Sequence, residues 1–174
     1  MVKLKWWEKR MKVAVISDTH IPQRGNNLPD PLLYFLRGVS LILHAGDITE
    51  WWVLEELMKY APVRAVRGNM DSPSVKEKLS DSEIVEIEGV KIGLTHGGGP
   101  PAGIEERVGK LFAGEKLQAI VYGHTHQPNK EWREGVLYFN PGSPTDWVFA
   151  PYFSFGFLEV EEGKIIEAEI VRIN

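Results

Sequence analysis

Five short polar clusters contain the residues of this 174-residue chain that are best suited to chemistry. Together they hold all five of its histidines, along with Asp and Asn side chains. The clusters are Asp18-Thr19-His20, His44-Ala45-Gly46-Asp47, Gly68-Asn69-Met70-Asp71, Thr95-His96-Gly97-Gly98 and Gly123-His124-Thr125-His126. Imidazole, carboxylate and amide groups bind divalent transition metals. The sequence therefore points to a metal centre.

Each cluster alone is weak evidence, because Gly-Asp and Gly-Asn are common turns and an isolated Asp-x-His usually has no function. Their position is more informative, since each follows a predicted strand, and the loops at strand carboxyl ends of α/β sheets converge. Residues two apart on an extended segment point the same way. We therefore expect Asp18 with His20, and His124 with His126, each to offer two donors to a common centre.

Short apolar runs before these clusters predict five buried strands, at residues 13–16, 41–43, 63–66, 92–94 and 120–122. Apolar residues at helical spacing predict helices that begin near Asp30, Thr49 and Ile104. Residues 84–95 read as two strands joined by a Glu88-Gly89 turn. After residue 135 the pattern changes to strands at 136–139, 154–160 and 164–173, with alternation that is typical of a sheet with one wet face.

Composition limits the classes of function. With 43% hydrophobic and 25% charged residues, the chain has the composition of a globular protein. We interpret residues 11–174 as one domain and residues 1–10 as an N-terminal extension. The absence of cysteine excludes disulfides, thiolate zinc sites and Cys nucleophiles. The net charge of −4 makes nucleic acid a less favoured partner.

The termini and hydropathy predict a compartment. The first ten residues are too charged for a secretory signal, and no apolar run approaches the ~20 residues of a membrane helix. We therefore expect a cytoplasmic protein without a membrane partner.

In order along the chain, the motifs D-x-H, G-D, G-N, H and G-H-x-H resemble those of the calcineurin-like metallophosphoesterase superfamily. The chain length and Asn140-Pro141-Gly142-Ser143 are similar to its small bacterial and archaeal phosphodiesterase branch, which is related to a retromer subunit. The resemblance implies an α/β fold in which a two-sheet β-sandwich with mixed sheets is flanked by helices.

The resemblance also implies a dinuclear centre. One metal would be held by Asp18, His20, Asp47 and His126, and the other by Asp47, Asn69, His96 and His124, so that Asp47 bridges the pair. Asp47, Asn69 and His96 are the predicted catalytic residues, and a bridging water or hydroxide would attack the phosphate of a small ester. Mn²⁺ is the leading candidate for both ions, while Ni²⁺, Fe²⁺, Co²⁺ and Zn²⁺ stay open.

Some positions depart from better-known relatives. Met70 stands where protein phosphatases of the superfamily have a histidine, and Gly98 where many relatives have another. No obvious general acid remains, so we expect slow turnover of poor leaving groups and faster cleavage of activated diesters. The loops expected to form the pocket walls are Gln23–Pro29, Pro100–Gly103 and Asn129–Gly135, and the substrate-binding residues stay unassigned.

Other interpretations stay open. The fold also serves as a protein-interaction scaffold in the retromer subunit, whose metal site has lost its bridging aspartate, whereas Asp47 is intact here. A structural zinc site is less favoured because such sites are usually closed and Cys-rich. His44 is either an outer partner of a ligand or a buried structural histidine. For the aromatic group at Trp132, Trp147, Phe149, Tyr152, Phe153 and Phe155, core and hairpin packing or a subunit interface is favoured over a base-stacking platform, and a homo-oligomer stays open.

Overall fold

The computed structural model describes residues 10–174. The predicted extension at residues 1–10 thus lies, except for Arg10, outside the described residues. Ten strands and four helices occur in the described part of the chain. They are β1 Met11–Ile16, α1 Asp30–Leu36, β2 Leu41–His44, α2 Trp51–Met58, β3 Val63–Ala65, α3 Pro73–Lys76, β4 Ser82–Ile87, β5 Val90–Thr95, α4 Ile104–Leu111, β6 Ala119–Val121, β7 Asn129–Arg133, β8 Val136–Asn140, β9 Ser154–Glu161 and β10 Lys164–Arg172.

The strands form two mixed sheets of five strands each. In the first sheet, of order β10-β9-β1-β2-β3, strands β1, β2 and β3 are parallel and the other two are antiparallel. In the second, of order β4-β5-β6-β8-β7, strands β5, β6 and β8 are parallel and both edge strands are antiparallel. Each sheet therefore contains a run of three adjacent strands that pair in parallel.

Side-chain alternation along the strands builds the layers. In β1, Val13 and Val15 face the second sheet and contribute to the core between the sheets. Ala14 and Ile16 point the opposite way and pack in the cluster that contains the apolar faces of α1 and α2. On the outer face of the second sheet, Ile104 of α4 packs in the same cluster as residues of β6. The predicted fold, a two-sheet sandwich flanked by helices, is confirmed.

Three details differ from the sequence-based expectations. Residues 129–133, expected within a pocket loop, form the edge strand β7. Their polar sequence, Asn-Lys-Glu-Trp-Arg, lacks apolar alternation because one edge of the strand and most of its side chains face solvent. Helix α2 begins at Trp51, with Glu50 as N-cap instead of Thr49, and the short helix α3 was not predicted. Within residues 10–174, no helix is long and apolar enough to cross a membrane.

Candidate metal centre

The seven predicted ligands converge where the parallel strands of both sheets end. The first donor group contains Asp18 and His20 after β1, Asp47 after β2, and His126 after β6. The His126 Nε2 atom lies 3.2 Å from Asp18 Oδ1 and 3.2 Å from His20 Nε2. The His20 Nε2 atom lies 3.6 Å from Asp47 Oδ2. Asp18, His20 and His126 are buried and their donor atoms form a compact set.

The second donor group shares Asp47 with the first. Its His96 Nε2 atom lies 3.3 Å from Asp47 Oδ2 and 3.1 Å from Asn69 Oδ1. The His124 Nδ1 atom lies 3.1 Å from the same Asn69 oxygen and 3.3 Å from His96 Nε2. Asp47 Oδ2 is thus adjacent to a histidine nitrogen of each group, and the donor atoms of Asp18, Asp47 and His96 also form a compact set, so both carboxylates lie between the two groups.

These separations fit metal coordination. Donors bound to one ion at about 2.1 Å, with angles between 90° and the tetrahedral value, lie roughly 3.0–3.4 Å apart. Most of the donor pairs above have this spacing. Two imidazole nitrogens this close repel each other unless a proton or a cation lies between them. The donor set therefore fits two divalent ions, and its lack of thiolate favours the borderline transition metals over a structural zinc site.

Hydrogen bonds on the far side of three imidazoles fix their tautomers. His96 Nδ1 donates to the Ala45 carbonyl at 2.8 Å, and His124 Nε2 donates to the Gly99 carbonyl at 2.9 Å. His126 Nδ1 bonds to the carboxylate of Asp146. Because carbonyl and carboxylate oxygens only accept, the opposite nitrogen of each ring carries a lone pair that faces the centre whenever the ring is neutral. Metal-ligating histidines typically have this arrangement.

The backbone at the centre is held in an uncommon conformation. Five of the seven predicted ligands have positive φ: Asp18 55°, His20 44°, Asp47 54°, His124 71° and His126 58°. Non-glycine residues rarely adopt this region, and such strain clusters at functional sites. The expectation that Asp18/His20 and His124/His126 converge through extended backbone is therefore wrong. Asp18 and His20 nevertheless lie in one donor group, and His124 and His126 lie in different groups, as the resemblance implied.

Residues 11–163 match the calcineurin-like phosphoesterase superfamily domain. The chain belongs to this superfamily. A probable metallophosphoesterase of Methanothermobacter thermautotrophicus is 39% identical over 164 residues, covering 93% of this chain and 92% of the relative. A protein named as a phosphodiesterase in Methanocaldococcus jannaschii is 28% identical over 149 residues, covering 76% of this chain and 83% of the relative. Entamoeba histolytica Vps29 in complex with Zn²⁺ is structurally similar, with a TM-score of 0.71, 27% identity and coverage of 94% and 100%.

Electrostatics at the centre of this superfamily member follow from burial and charge pairing. Burial would lower the pKa of His96, but the hydrogen bond to Asp47 and the charges of Asp18 and Asp47 raise it to about 9. Burial would raise the pKa of Asp18, but the hydrogen bonds from His126 and His20 hold it well below its usual range. Without metal, protonated imidazoles therefore neutralise the carboxylates. Metal ions must displace these protons, so affinity for metal falls as the pH falls.

Asp146 is a residue of the site that the sequence analysis missed. It is fully buried and lies in the loop after β8, a sixth strand that ends at the same edge. Its carboxylate contacts His126 Nδ1 and accepts a hydrogen bond from the Val148 N–H at 2.8 Å. The polar run that follows the 136–139 strand could have identified it. The sequence analysis looked for polar clusters after five predicted strands, and the same search applies to this sixth strand.

His44, the fifth histidine, lies outside both donor groups. Its side chain is completely buried, and its Nε2 atom lies 3.3 Å from Thr19 Oγ1. Its Nδ1 atom has no hydrogen-bond partner among the described residues. Of the two interpretations of His44, the contacts favour a buried structural histidine.

Two clefts meet at Asn69. The first, of about 620 Å³, lies over His20, Asp47, His124 and His126, and its outer wall is formed by Gln23, Arg24, Met70, Pro101, Gln127 and Phe149. We call it the aromatic cleft. The second, of about 630 Å³, lies beside His96 and contains Arg67, Lys76 and Arg107. We call it the basic cleft. Of the predicted wall loops, 23–29 and 100–103 contribute to the aromatic cleft, whereas 129–135 does not.

Proposed function

We propose that the protein is a dinuclear metal-dependent phosphodiesterase. The observation that carries this proposal is the pair of donor groups that share Asp47 Oδ2, at 3.6 Å from His20 Nε2 and 3.3 Å from His96 Nε2. Asp18, His20, Asp47 and His126 form the proposed first site, and Asp47, Asn69, His96 and His124 the second. Mn²⁺ is the leading candidate for both, with Ni²⁺, Fe²⁺, Co²⁺ and Zn²⁺ as alternatives.

The side chains of the protein do three things in this scheme. The carboxylates of Asp18 and Asp47 balance cation charge, and the hydrogen-bonded imidazoles present their lone pairs in a fixed direction. Asn69, whose side chain lies between His96 and His124, is placed to touch the phosphate where the two clefts meet. When bound, two divalent ions clamp phosphate oxygens and activate water or hydroxide at neutral pH.

A diester is favoured over a monoester because there is room for two ester arms. The aromatic cleft and the basic cleft have similar volumes, about 620 and 630 Å³, and Asn69 lines both. A phosphate bound at this junction could extend one substituent into each cleft. A relative named as a phosphodiesterase is consistent with this substrate class.

A leaving group in the aromatic cleft would find no side-chain acid among the described residues outside the proposed ligands. Outside the proposed ligands, the described residues that line the aromatic cleft include no Asp, Glu or His. Met70, at the position of the missing histidine, is half exposed in this cleft and reaches the centre only through its N–H, which donates to Asp47 Oδ1 at 2.7 Å. Because a general acid typically contributes ~10²–10⁴-fold in rate, we expect activated diesters to be cleaved best.

The test is hydrolysis of bis(p-nitrophenyl) phosphate by metal-stripped protein, with Mn²⁺, Ni²⁺, Zn²⁺ or Mg²⁺ added back. We expect Mn²⁺ to restore activity, Asp47→Asn to abolish it, and p-nitrophenyl phosphate to be cleaved more slowly than the diester. Faster cleavage of the monoester would contradict the diesterase assignment. Phosphoserine peptides cleaved as fast as aryl diesters would contradict the inference that a general acid is missing.

The second candidate function is a protein-interaction scaffold, which the structural likeness to Vps29 leaves open. A scaffold should bind the metals without turnover. Folded protein that binds two equivalents of metal, yet cleaves neither substrate with any of the four ions, would replace the enzyme proposal with the scaffold.

A further inference from the structure

The outer wall of the aromatic cleft contains an exposed aromatic ring. Phe149 is 60% exposed, although the sequence favoured core packing or a subunit interface for this residue. Its ring lies edge-on to the His126 ring, with 5.8 Å between centroids and an interplanar angle of 77°. The ring is therefore adjacent to a proposed metal ligand and faces the space above the centre.

Hydrogen bonds hold the Phe149 segment in place. Gln127 Nε2 donates to the Phe149 carbonyl at 2.8 Å, and the Val148 N–H donates to Asp146 Oδ1 at 2.8 Å. Asp146 in turn is fully buried and bonded to His126. These bonds hold the backbone that carries the exposed ring, so little backbone entropy is lost when a ligand binds against it.

Arg24 supplies a cation to the same wall. Its guanidinium carbon lies 5.7 Å from the centroid of the Phe149 ring, and its Nε atom lies 3.4 Å from Asp146 Oδ1. The backbone N–H of Arg24 donates to the His20 carbonyl at 2.8 Å, so this residue too is tied to a proposed ligand. Planar aromatic groups stack on aromatic rings and on guanidinium groups. This stacking does not depend on which hydrogen-bond donors and acceptors the planar group carries.

We propose that Phe149 and Arg24 form a subsite for a planar aromatic ring on one ester arm of the substrate. The substrate class is then a phosphodiester that carries a nucleoside or a comparable aryl group. This inference rests on the proposed function, since it takes the phosphate to bind at the metal centre. The inference is supported by the position of the Phe149 ring, which lines the same cleft as His20, Asp47 and His126.

The experiment compares two ligands that differ only in the base. Binding of 5′-AMP and of ribose 5-phosphate to the Mn²⁺-loaded protein is measured by calorimetry. Both are monoesters, so neither is the proposed substrate. We expect 5′-AMP to bind about tenfold more tightly, within the range for stacking of one base on an aromatic side chain. Phe149→Leu should remove this preference, and Phe149→Tyr, which keeps the ring, should retain it.

Trp147→Ala is the matched control. Trp147 is 71% exposed and lies two residues away, but it does not line the aromatic cleft. This variant should keep the preference for 5′-AMP. Ribose 5-phosphate affinity and Mn²⁺ stoichiometry should be the same in all variants, which shows that the centre is intact.

Three results would overturn the subsite. The first is equal affinity of the wild type for the two ligands. The second is a Phe149→Leu variant that loses affinity for both ligands equally, since Phe149 would then only position His126. The third is a Phe149→Leu variant that keeps the preference for 5′-AMP but is a monomer where the wild type is a dimer, which would make Phe149 part of a subunit interface. Hydrolysis of bis(p-nitrophenyl) phosphate is measured separately. Hydrolysis without a preference for 5′-AMP over ribose 5-phosphate would refute only the subsite. A preference for 5′-AMP without hydrolysis would refute only the esterase.

Discussion

The metal centre and the hairpin turns use the same uncommon backbone conformation for different reasons. Three exposed glutamates have positive φ, namely Glu88 at 48°, Glu134 at 49° and Glu162 at 46°. Each is followed by a glycine with positive φ in a two-residue hairpin loop. Two successive residues with positive φ define the turn whose twist matches that of paired strands. The conformation there follows from local sequence and strand pairing.

At the metal centre the left-handed residues are buried or half-buried Asp, His and Thr, and contacts distant in sequence hold them. The Asp18 N–H donates to the Gly46 carbonyl and the His20 N–H to the Asp47 carbonyl, both at 3.0 Å. The His124 N–H donates to the Asp18 carboxylate at 3.1 Å. Tertiary structure therefore imposes this strained backbone conformation. The conformation directs side chains that follow different strands toward one point.

Among changes at the residues with left-handed backbone other than Asp47, the largest effect should come from Asp18→Asn. Asparagine adopts positive φ at least as readily as aspartate, so the backbone is preserved while the negative charge is lost. We expect diesterase activity and first-site metal affinity to fall by more than about 100-fold, beyond the 10–100-fold typical of outer-shell changes. Metal content and hydrolysis rate measure this. Retention of both would show that the left-handed conformation, and not the carboxylate, is what the site needs.

Gly68→Ala tests the close packing at the centre. A Cβ atom at Gly68 would clash with the carboxylate and the backbone nitrogen of Asp47, so Asp47 must move. A displacement of about 1 Å can cost ~100-fold in rate, and we expect a loss of this size in activity. Gly38→Ala is the control, because a Cβ there meets nothing within 4 Å. Equal activities of the two variants would contradict the proposed position of Asp47.

The free energy of unfolding of the metal-free protein should depend on pH through His44. Burial, which outweighs the neighbouring carboxylates, lowers the pKa of His44 from 6.5 to about 3. Between these values the unfolded chain binds a proton that the folded protein excludes. The contribution of neutral His44 is therefore present above pH 6.5 and lost as the pH falls toward 3.

His44→Gln removes this group. We expect the free energy of unfolding of the metal-free variant to fall less steeply with acid than that of the metal-free wild type, by an amount on the order of a few kcal/mol. Urea unfolding at several pH values between 3.5 and 7 gives both curves. Parallel curves would show that His44 is protonated in the folded state.

The smallest effect is expected at a hairpin. Glu134→Asn places a residue that favours positive φ before Gly135, which should stabilise the turn by about 0.5–1 kcal/mol and leave activity unchanged. For a chain of this size the melting temperature should rise by roughly 1–4 °C. A fall in melting temperature would mean that the turn is held by tertiary contacts, as the metal centre is.

Prediction from sequence worked best where the cause is local. The Glu88-Gly89 and Glu162-Gly163 turns, the buried strands and the polar clusters at their ends follow from short patterns. The Glu134-Gly135 turn carries the same signal, but β7 was missed because it is polar and gains its strand geometry from pairing with β8. The seven site residues were named from motif order and resemblance, and the structure brings all seven together.

Tertiary structure alone decided how these residues converge. His124 and His126, which the resemblance assigned to different metals, both have left-handed backbone, and bonds from the His124 N–H to Asp18 and from the His126 ring to Asp146 orient them. Asp146 joins the site only because β8 lies parallel to β6. Phe149 stays exposed because the segment from Asp146 to Phe149 is bonded to His126 through Asp146. The sequence by itself determined which groups are available. Their direction depends on hydrogen bonds between residues more than 100 positions apart, such as the His124 N–H and Asp18, which no local pattern encodes.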